Sequence, residues 1–364
     1  MPARIVLFGA TGYTGRLTAD ALLARGERPV LAGRSKERLE AMAAELGGDL
    51  DTAVADVADP ASVRALLEPG DVLIATVGPF ARWGDPAAEA AIEVGAHYLD
   101  STGEPAFIRR VFEHYGPGAD KAGVGMLTAF GYDWVPGNLA GALALRDAGD
   151  GATRVDIGYF AMGGLGGMSG GTRASLAGAL VEPGFVWRQG IKTERGAARV
   201  RSFEAVGKRR QAISVASSEH FTLPRLYPGL REVNAYLGWF GGASRGMQAM
   251  SAFNSGLTKI PGAKTALRAM TDRFQGSTGG PDEQARAGTG SAIVAIAYDG
   301  SGTELAQAEV RGINGYDFTG RVLAWGAGTA LAGGLKGSGA LGPAEAFGLD
   351  ELAAGCTEAG IAPV

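Results

Sequence analysis

The chain is poor in several things, and each shortage excludes something. It has one cysteine, Cys356, in 364 residues. A lone thiol cannot close an internal disulfide, which rules out a disulfide-stapled scaffold and points to a reducing, cytoplasmic setting. The three histidines, His97, His114 and His220, lie far apart without paired ligand spacing, so no metal site is expected. Charged residues make up only 20% and the formal net charge is −4. No basic stripe is available to track a phosphate backbone, which argues against nucleic acid as a partner. The most apolar segment, VLAWGAGTALAGGL at 322–335, is too short to span a bilayer and is rich in Gly and Ala. It suits small-residue packing inside a globular domain, and no transmembrane segment is expected. The opening MPARIVLFG has no apolar run of signal-peptide length. No tyrosine is followed by lysine four residues later, so the short-chain dehydrogenase pair is missing.

Glycine is abundant: 60 residues, scattered without period, as many tight turns and close backbone approaches require. Apolar residues make up 46%, enough for a sizeable core, and the length suggests two domains. Through residue 135, apolar runs alternate with helical patterns. Strands are predicted at 4–9, 28–34, 51–56, 71–78, 97–102 and 124–131. Helices are predicted at 14–25, 35–47, 60–67 and 86–94. Ser35 serves as an N-cap, and Asp59-Pro60 and Asp85-Pro86 are helix starts. This alternation predicts right-handed crossovers and a parallel, doubly wound Rossmann sheet that binds ligands at the carboxyl ends of its strands.

The first strand runs into VLFGATGYTGRL, with Gly9, Gly12 and Gly15 three residues apart. Placed between a strand and a helix, these glycines suit a pyrophosphate, because the backbone can approach it and the helix start presents its positive end. A turn needing positive φ would explain one glycine but not three. Thr11, Tyr13 and Thr14 belong to the same loop. Where NAD enzymes carry an acid at the end of strand two, this chain has Arg34 and Ser35. A guanidinium suits a 2′-phosphate, so NADP(H) is favoured over NAD. Asp56, followed by Val57, ends strand three within reach of the adenine. Thr76, Val77, Gly78 and Pro79 end strand four on the nicotinamide side.

Together the motifs GATGYTG, AGRS, TVGPFARWGDP, YLDSTGEPAFIR, GYDWVPGNLA and SGGTRAS resemble the saccharopine dehydrogenase-like oxidoreductases. Within that family they are most similar to the bacterial trans-acting enoyl reductases. The resemblance implies a Rossmann domain for NADP(H), an inserted α/β domain, and a final segment, GPAEAFGLDELAAGCTEAGI, that returns to the first. It carries Gly9, Gly12 and Gly15 to the pyrophosphate, Arg34 and Ser35 to the adenosine side, and Thr76 to Pro79 to the nicotinamide side. The family often reads Gly-Phe-Asp-Ser where this chain reads Gly131-Tyr132-Asp133-Trp134.

The expected division is 1–135 for the dinucleotide domain, 136–333 for an α+β domain, and 334–364 for the returning segment. In the second domain, residues 290–312 alternate around DGSG and predict a hairpin. The aromatic stretch at 219–250 suits interdomain core, a subunit interface of a homodimer, or the wall of a greasy pocket. An amino-diacid substrate would need several arginines to clamp its carboxylates, and Arg173, Arg188, Arg195, Arg199, Arg201, Arg209 and Arg210 are available, but most fall in one polar stretch that reads more easily as a solvated face. Asp100, Glu104, Tyr132 and Asp133 sit near strand ends as proton-transfer candidates, against caps and turn hydrogen bonds as the bland alternative. Phe80, Gly170, Gly171 and Thr172 are expected to line the substrate, with the glycine-rich 162–172 loop closing over it. The activity expected is hydride transfer to an activated C=C (enoyl) or C=N bond of a small or acyl-type substrate. The alternative is an NADP(H)-binding sensor or regulator that performs no turnover.

Overall fold

The computed structural model describes residues 2–163, 184–194, 198–239, 248 and 279–364. The chain forms two compact units: Met1–Asp133 with Gly315–Gly360, and Trp134–Asn314 with Ile361–Val364.

The first unit is built on β1 (Ile5–Phe8), β2 (Val30–Gly33), β3 (Thr52–Val54), β4 (Val72–Ala75), β5 (His97–Asp100), β6 (Gly125–Leu127) and β15 (Gly339–Ala340). Their order is β15-β6-β5-β4-β1-β2-β3 and every pairing is parallel. The runs IVLF, VLAG and VLIA of β1, β2 and β4 are buried along their whole length, as strands covered on both faces must be. Strand order reverses between β1 and β4, so the ligand crevice of a doubly wound sheet falls above their carboxyl ends. Helices α1 (Tyr13–Ala24), α2 (Lys36–Glu45), α3 (Pro60–Arg64), α4 (Phe80–Trp83), α5 (Asp85–Val94), α6 (Pro105–Arg110) and α7 (Gly116–Ala122) provide the crossovers. A π-helical turn, Val111–Tyr115, joins the last two.

The division differs from the one expected at residue 333. The helix Gly315–Leu331 belongs to the first unit and lies against α1. A Cβ on Gly320 would stand 2.8 Å from the Leu17 carbonyl oxygen, so the close approach depends on that residue's missing side chain. Within the apolar 322–335 segment, a Cβ on Gly326 would stand 2.4 Å from the Phe130 ring, so there too a missing side chain permits close packing. Residues after Gly360 leave this unit again, and β16 (Ile361–Pro363) pairs with the second sheet.

The second unit opens with α8 (Val135–Ala148). Its strands are β7 (Arg154–Met162), β8 (Phe185–Arg188), β9 (Ile191–Thr193), β10 (Val200–Ala205), β11 (Lys208–Val215), β12 (Glu232–Leu237), β13 (Gly290–Tyr298), β14 (Glu304–Ile313) and β16. Their main order is β10-β11-β12-β7-β13-β14-β16, with β8 on β12 and β9 on β8. The expected hairpin is β13–β14. Asp299 Oδ1 pins its turn by accepting from the Ser301 and Thr303 N–H groups at 2.8 and 2.9 Å. Along β7, Ile157 and Tyr159 face α8 and the helix Glu219–Leu226, whereas Phe160 faces the other way. There Phe160 meets Phe203 of β10 at 5.8 Å between ring centroids, although two strands separate β10 from β7 in the order. The sheet therefore curls over a core of Phe160, Phe203, Tyr236, Ala292 and Val294. Among the described residues no helix is long and apolar enough to cross a membrane.

Candidate functional site

The glycine loop turns because the N–H groups of Gly9 and Ala10 both donate to the Ala32 carbonyl, at 2.9 and 3.2 Å, and Gly12 N–H donates to Gly9 at 2.9 Å. The three glycines differ in what they do. Gly9 has φ +90°, and a Cβ there would stand 2.6 Å from Thr76 Oγ1. A Cβ on Gly15 would meet the Gly9 carbonyl oxygen at 2.2 Å, so this glycine lets α1 pack against the turn. At Gly12 the nearest protein atom to such a Cβ is the Gly9 oxygen at 3.2 Å. Gly9 and Gly15 are demanded outright by the protein's own packing, whereas at Gly12 the Gly9 oxygen is the one close neighbour and would have to give only a few tenths of an ångström. Gly12 is also the N-cap of α1, contributes no side-chain cap, and is followed by a first turn without acidic residues. The positive end of this helix thus keeps its field.

The other residues expected at a cofactor lie along the same sheet edge. Thr11 presents its carbonyl oxygen to Arg38 Nη2 at 3.0 Å, so α2 is tied to the loop by a residue that the sequence did not single out. Arg34 is exposed beyond β2 and has no hydrogen bond or ion pair among the described residues. Ser35 caps α2 by accepting from Arg38 N–H at 3.4 Å, and its hydroxyl donates to Glu37 at 3.0 Å. Asp56 follows β3 and accepts from Ala58 N–H at 2.9 Å, with Val57 half-buried beside it. The Thr76 hydroxyl lies 3.1 and 3.2 Å from the Phe8 and Gly9 carbonyl oxygens, which locks the end of β4 to the glycine loop. Val77, Gly78 and Pro79 lead from there to Phe80, buried at the start of α4.

Two buried carboxylates stitch the ends of β4, β5 and β6 together. Asp100 Oδ1 accepts from Thr102 N–H and Ala129 N–H, each at 2.9 Å. Ala129 adopts φ +56°, an unusual conformation for a residue with a side chain. Thr102 Oγ1 accepts from Glu104 N–H at 3.0 Å. Glu104 then accepts from Phe80 N–H at 2.8 Å and Ala81 N–H at 2.9 Å, one on each oxygen. Burial raises the pKa of both acids, that of Asp100 to about 6, against the pull of these N–H donors. Both oxygens of Glu104 are thus occupied in capping α4, which makes it a positioning residue here.

Asp133 is different. Its Oδ1 is buried and meets no donor, and no ion pair reaches the carboxyl group among the described residues. Burial alone pushes its pKa to about 7. Tyr132 beside it is held by its N–H, which donates to Thr319 Oγ1 at 3.0 Å. Its ring packs on Gly315, where a Cβ would come within 2.8 Å. Gly170, Gly171 and Thr172, with the rest of the loop expected to close over a substrate, lie outside the described residues. So does most of 240–278. Ala129, Thr102 and Gly103 went unnoticed in the sequence. The one available signal was DSTGE itself, in which two acids bracket a Ser-Thr-Gly turn.

A six-strand parallel core in 3-2-1-4-5-6 order, with a glycine loop opening α1 at its switch point, defines a dinucleotide-binding α/β protein. Residues 5–124 match the family described as the saccharopine dehydrogenase NADP binding domain. It is 39% identical over 180 residues to a putative trans-acting enoyl reductase of Mycobacterium tuberculosis, covering 47% of this chain and 43% of that protein. It is also 39% identical over 140 residues to a trans-acting enoyl reductase of Mycobacterium ulcerans, covering 37% and 34%. These alignments span less than half the length of the curated relatives. In fold the chain is similar to apo saccharopine dehydrogenase (L-Glu forming) of Saccharomyces cerevisiae, with TM-score 0.58, 14% identity, and 100% and 99% of the two chains covered.

Proposed function

We propose that the chain is an NADP(H)-dependent oxidoreductase acting on an activated double bond of a small or acyl-type substrate. The observation that carries the reading is Gly12. Of the three loop glycines it is the one least crowded by the protein's own atoms, and it stands at the N-terminus of α1, whose first turn carries no acidic residue. That is the position where a pyrophosphate needs room and positive potential. Arg34, with no other partner among the described residues, would take the 2′-phosphate, with Ser35, Asp56 and Val57 along the adenosine. Thr76 to Pro79 would line the nicotinamide side, with Phe80 next to the substrate.

The bound cofactor supplies a hydride, and the chain must supply orientation and a proton. Reduction of a C=C or C=N bond adds a proton at the atom that does not receive the hydride. Asp133 is suited to hold that proton, since its raised pKa leaves a good share of the carboxyl protonated at neutral pH. Asp100 and Glu104 position the segments on either side of it. The relatives named enoyl reductases favour the C=C bond over the C=N bond. The test is NADPH oxidation against a panel of enoyl thioesters and cyclic imines, run beside a direct NADPH titration. Turnover on enoyl thioesters that falls with Asp133→Asn supports the proposal. Tight NADPH binding without turnover on any member would turn the reading to a cofactor sensor.

A further inference from the structure

The arginines that read as a solvated face in the sequence are gathered around two buried polar side chains. The centre is Asp156 on β7, 1% exposed. Its Oδ2 pairs with Arg201 Nη1 and lies 3.5 Å from Arg154 Nε. Its Oδ1 accepts from Asn234 Nδ2 at 2.6 Å. Asn234, on β12 and 2% exposed, presents Oδ1 to Arg188 Nη2 at 2.7 Å and to Arg199 Nη1 at 2.9 Å. Four guanidiniums, from β7, β8, β10 and the residues before β10, thus share one aspartate–asparagine pair at one end of the curled sheet.

Aromatic rings steady them. Arg154 lies 4.2 Å over the Tyr298 ring and Arg201 lies 5.2 Å from it, while Arg199 Nη1 donates to the Tyr236 hydroxyl at 3.2 Å. Among the described residues, four cations are ion-paired with three carboxylates: Asp156, Glu194 at 3.1 Å from Arg199, and Glu232 at 3.8 Å from Arg188. The donors are not used up. Arg201 Nε is buried without an acceptor, and Arg188 Nε and Arg199 Nη2 make no hydrogen bond to a described residue. Burial above all, with a further push from Arg188 and Arg199, holds the neighbouring His220 to a pKa of about 4, so the positive field reaches beyond the cluster.

We propose that this cluster is an oxyanion site, in which Arg188 and Arg199 take a carboxylate or phosphate group of a small molecule, with Arg201 pinned beside them on Asp156 and the Tyr298 hydroxyl. Fixed guanidinium forks are matched to such groups, and Asp156 and Asn234 hold them in place before any ligand arrives. A lysine-lined solvated face would have neither the shared buried anchor nor the unfilled donors. The site lies wholly in the second unit and stands independently of the reductase reading.

The test is calorimetric titration of the full chain at low ionic strength with inorganic phosphate and, separately, with succinate. A chloride titration serves as control, and no cofactor is present. One saturable site for either anion is expected, and the preferred anion identifies the source. Arg199→Ala and Arg188→Ala should each weaken it at least about tenfold with the melting temperature little changed. Arg199→Lys keeps the charge but loses the fork, and should also weaken it even if the alanine variant fails to fold. Failure of both anions to saturate by about 10 mM would overturn the proposal, as would unchanged affinity in all three variants.

Discussion

Asp133 rests against Gly103: a Cβ built on that glycine would stand 2.8 Å from Asp133 Oδ2. The glycine of DSTGE therefore makes room for the one carboxyl group at this sheet edge that no donor satisfies. Gly103→Ala should displace the carboxyl and lower kcat about tenfold while NADPH affinity stays within about twofold. Asp133→Asn should cost kcat roughly 10²- to 10⁴-fold, the usual range for a lost proton donor. Steady-state kinetics beside cofactor titration checks both. An unchanged kcat in Asp133→Asn would remove this residue from the chemistry.

The same carboxyl should leave a mark on stability. Its folded pKa, about 7, lies above the ordinary value of 3.8, so the folded chain binds this proton more tightly than the unfolded chain does. The stabilisation is complete below pH 3.8 and is lost as pH rises through about 7. Asp100, at about 6, adds a loss of the same sign between 3.8 and 6. Denaturant melts of wild type and Asp133→Asn followed from pH 8 down to about pH 3.5 should therefore converge only towards the acid end. The wild type should fall behind the variant at high pH. Parallel curves would contradict the burial on which this rests.

Gly12 and Gly15 should fail in different ways. Gly12→Val should abolish NADPH binding and leave the melting temperature near wild type. Gly15→Ala sets a methyl on the Gly9 carbonyl oxygen and should destabilise the fold itself by about 1–3 kcal/mol. Calorimetry with and without NADPH separates the two. A Gly12→Val chain that binds NADPH normally would reduce the loop to a turn.

Arg34→Ala should weaken NADPH by about 1–3 kcal/mol and leave NADH almost untouched, as expected for one charge-assisted contact to a 2′-phosphate. Fluorescence titration with both cofactors decides it. Equal affinities in the wild type would mean that Arg34 is only a solvated charge.

Glu104 offers two oxygens to two N–H groups, and glutamine can offer only one. Glu104→Gln and Glu104→Ala should therefore both destabilise the fold, by about 1–3 kcal/mol each, as a buried donor loses its acceptor. Thermal melts suffice. A fully stable Glu104→Gln would show that the cap contributes little.

The first unit was legible because each central parallel strand is buried on both faces and so appears as an unbroken apolar run. Strand ends were not. The sequence extends β6 from 124 to 131, but the ladder stops at Leu127. Asp100 draws the Ala129 N–H into a turn, and a contact 29 residues distant has no local signature. Glu104 was similarly opaque: an acid before Pro-Ala-Phe looks available for chemistry until Phe80 and Ala81 are seen to occupy it. In the second unit the hairpin announced itself by alternation, yet Arg199 and Arg201 alternate in the same way as an exposed edge. Only the curl of the sheet, which brings them to Asp156, tells the two apart. The helix Gly315–Leu331 falls in the first unit because it packs on α1, a contact about 300 residues distant that leaves no local signature.

The path of the chain also orders its assembly during synthesis. The first unit cannot acquire its α1-facing helix or β15 until all of 134–314 has been made, and the second sheet waits for 361–363 to gain β16. The first unit cannot finish before 134–314 of the second has been translated, and the second cannot finish before all of the first has been. A ribosome-bound intermediate would expose the α1 surface that the helix Gly315–Leu331 later covers. A pause or truncation between residues 314 and 338 would strand two incomplete sheets at once instead of one finished domain and one unfinished one.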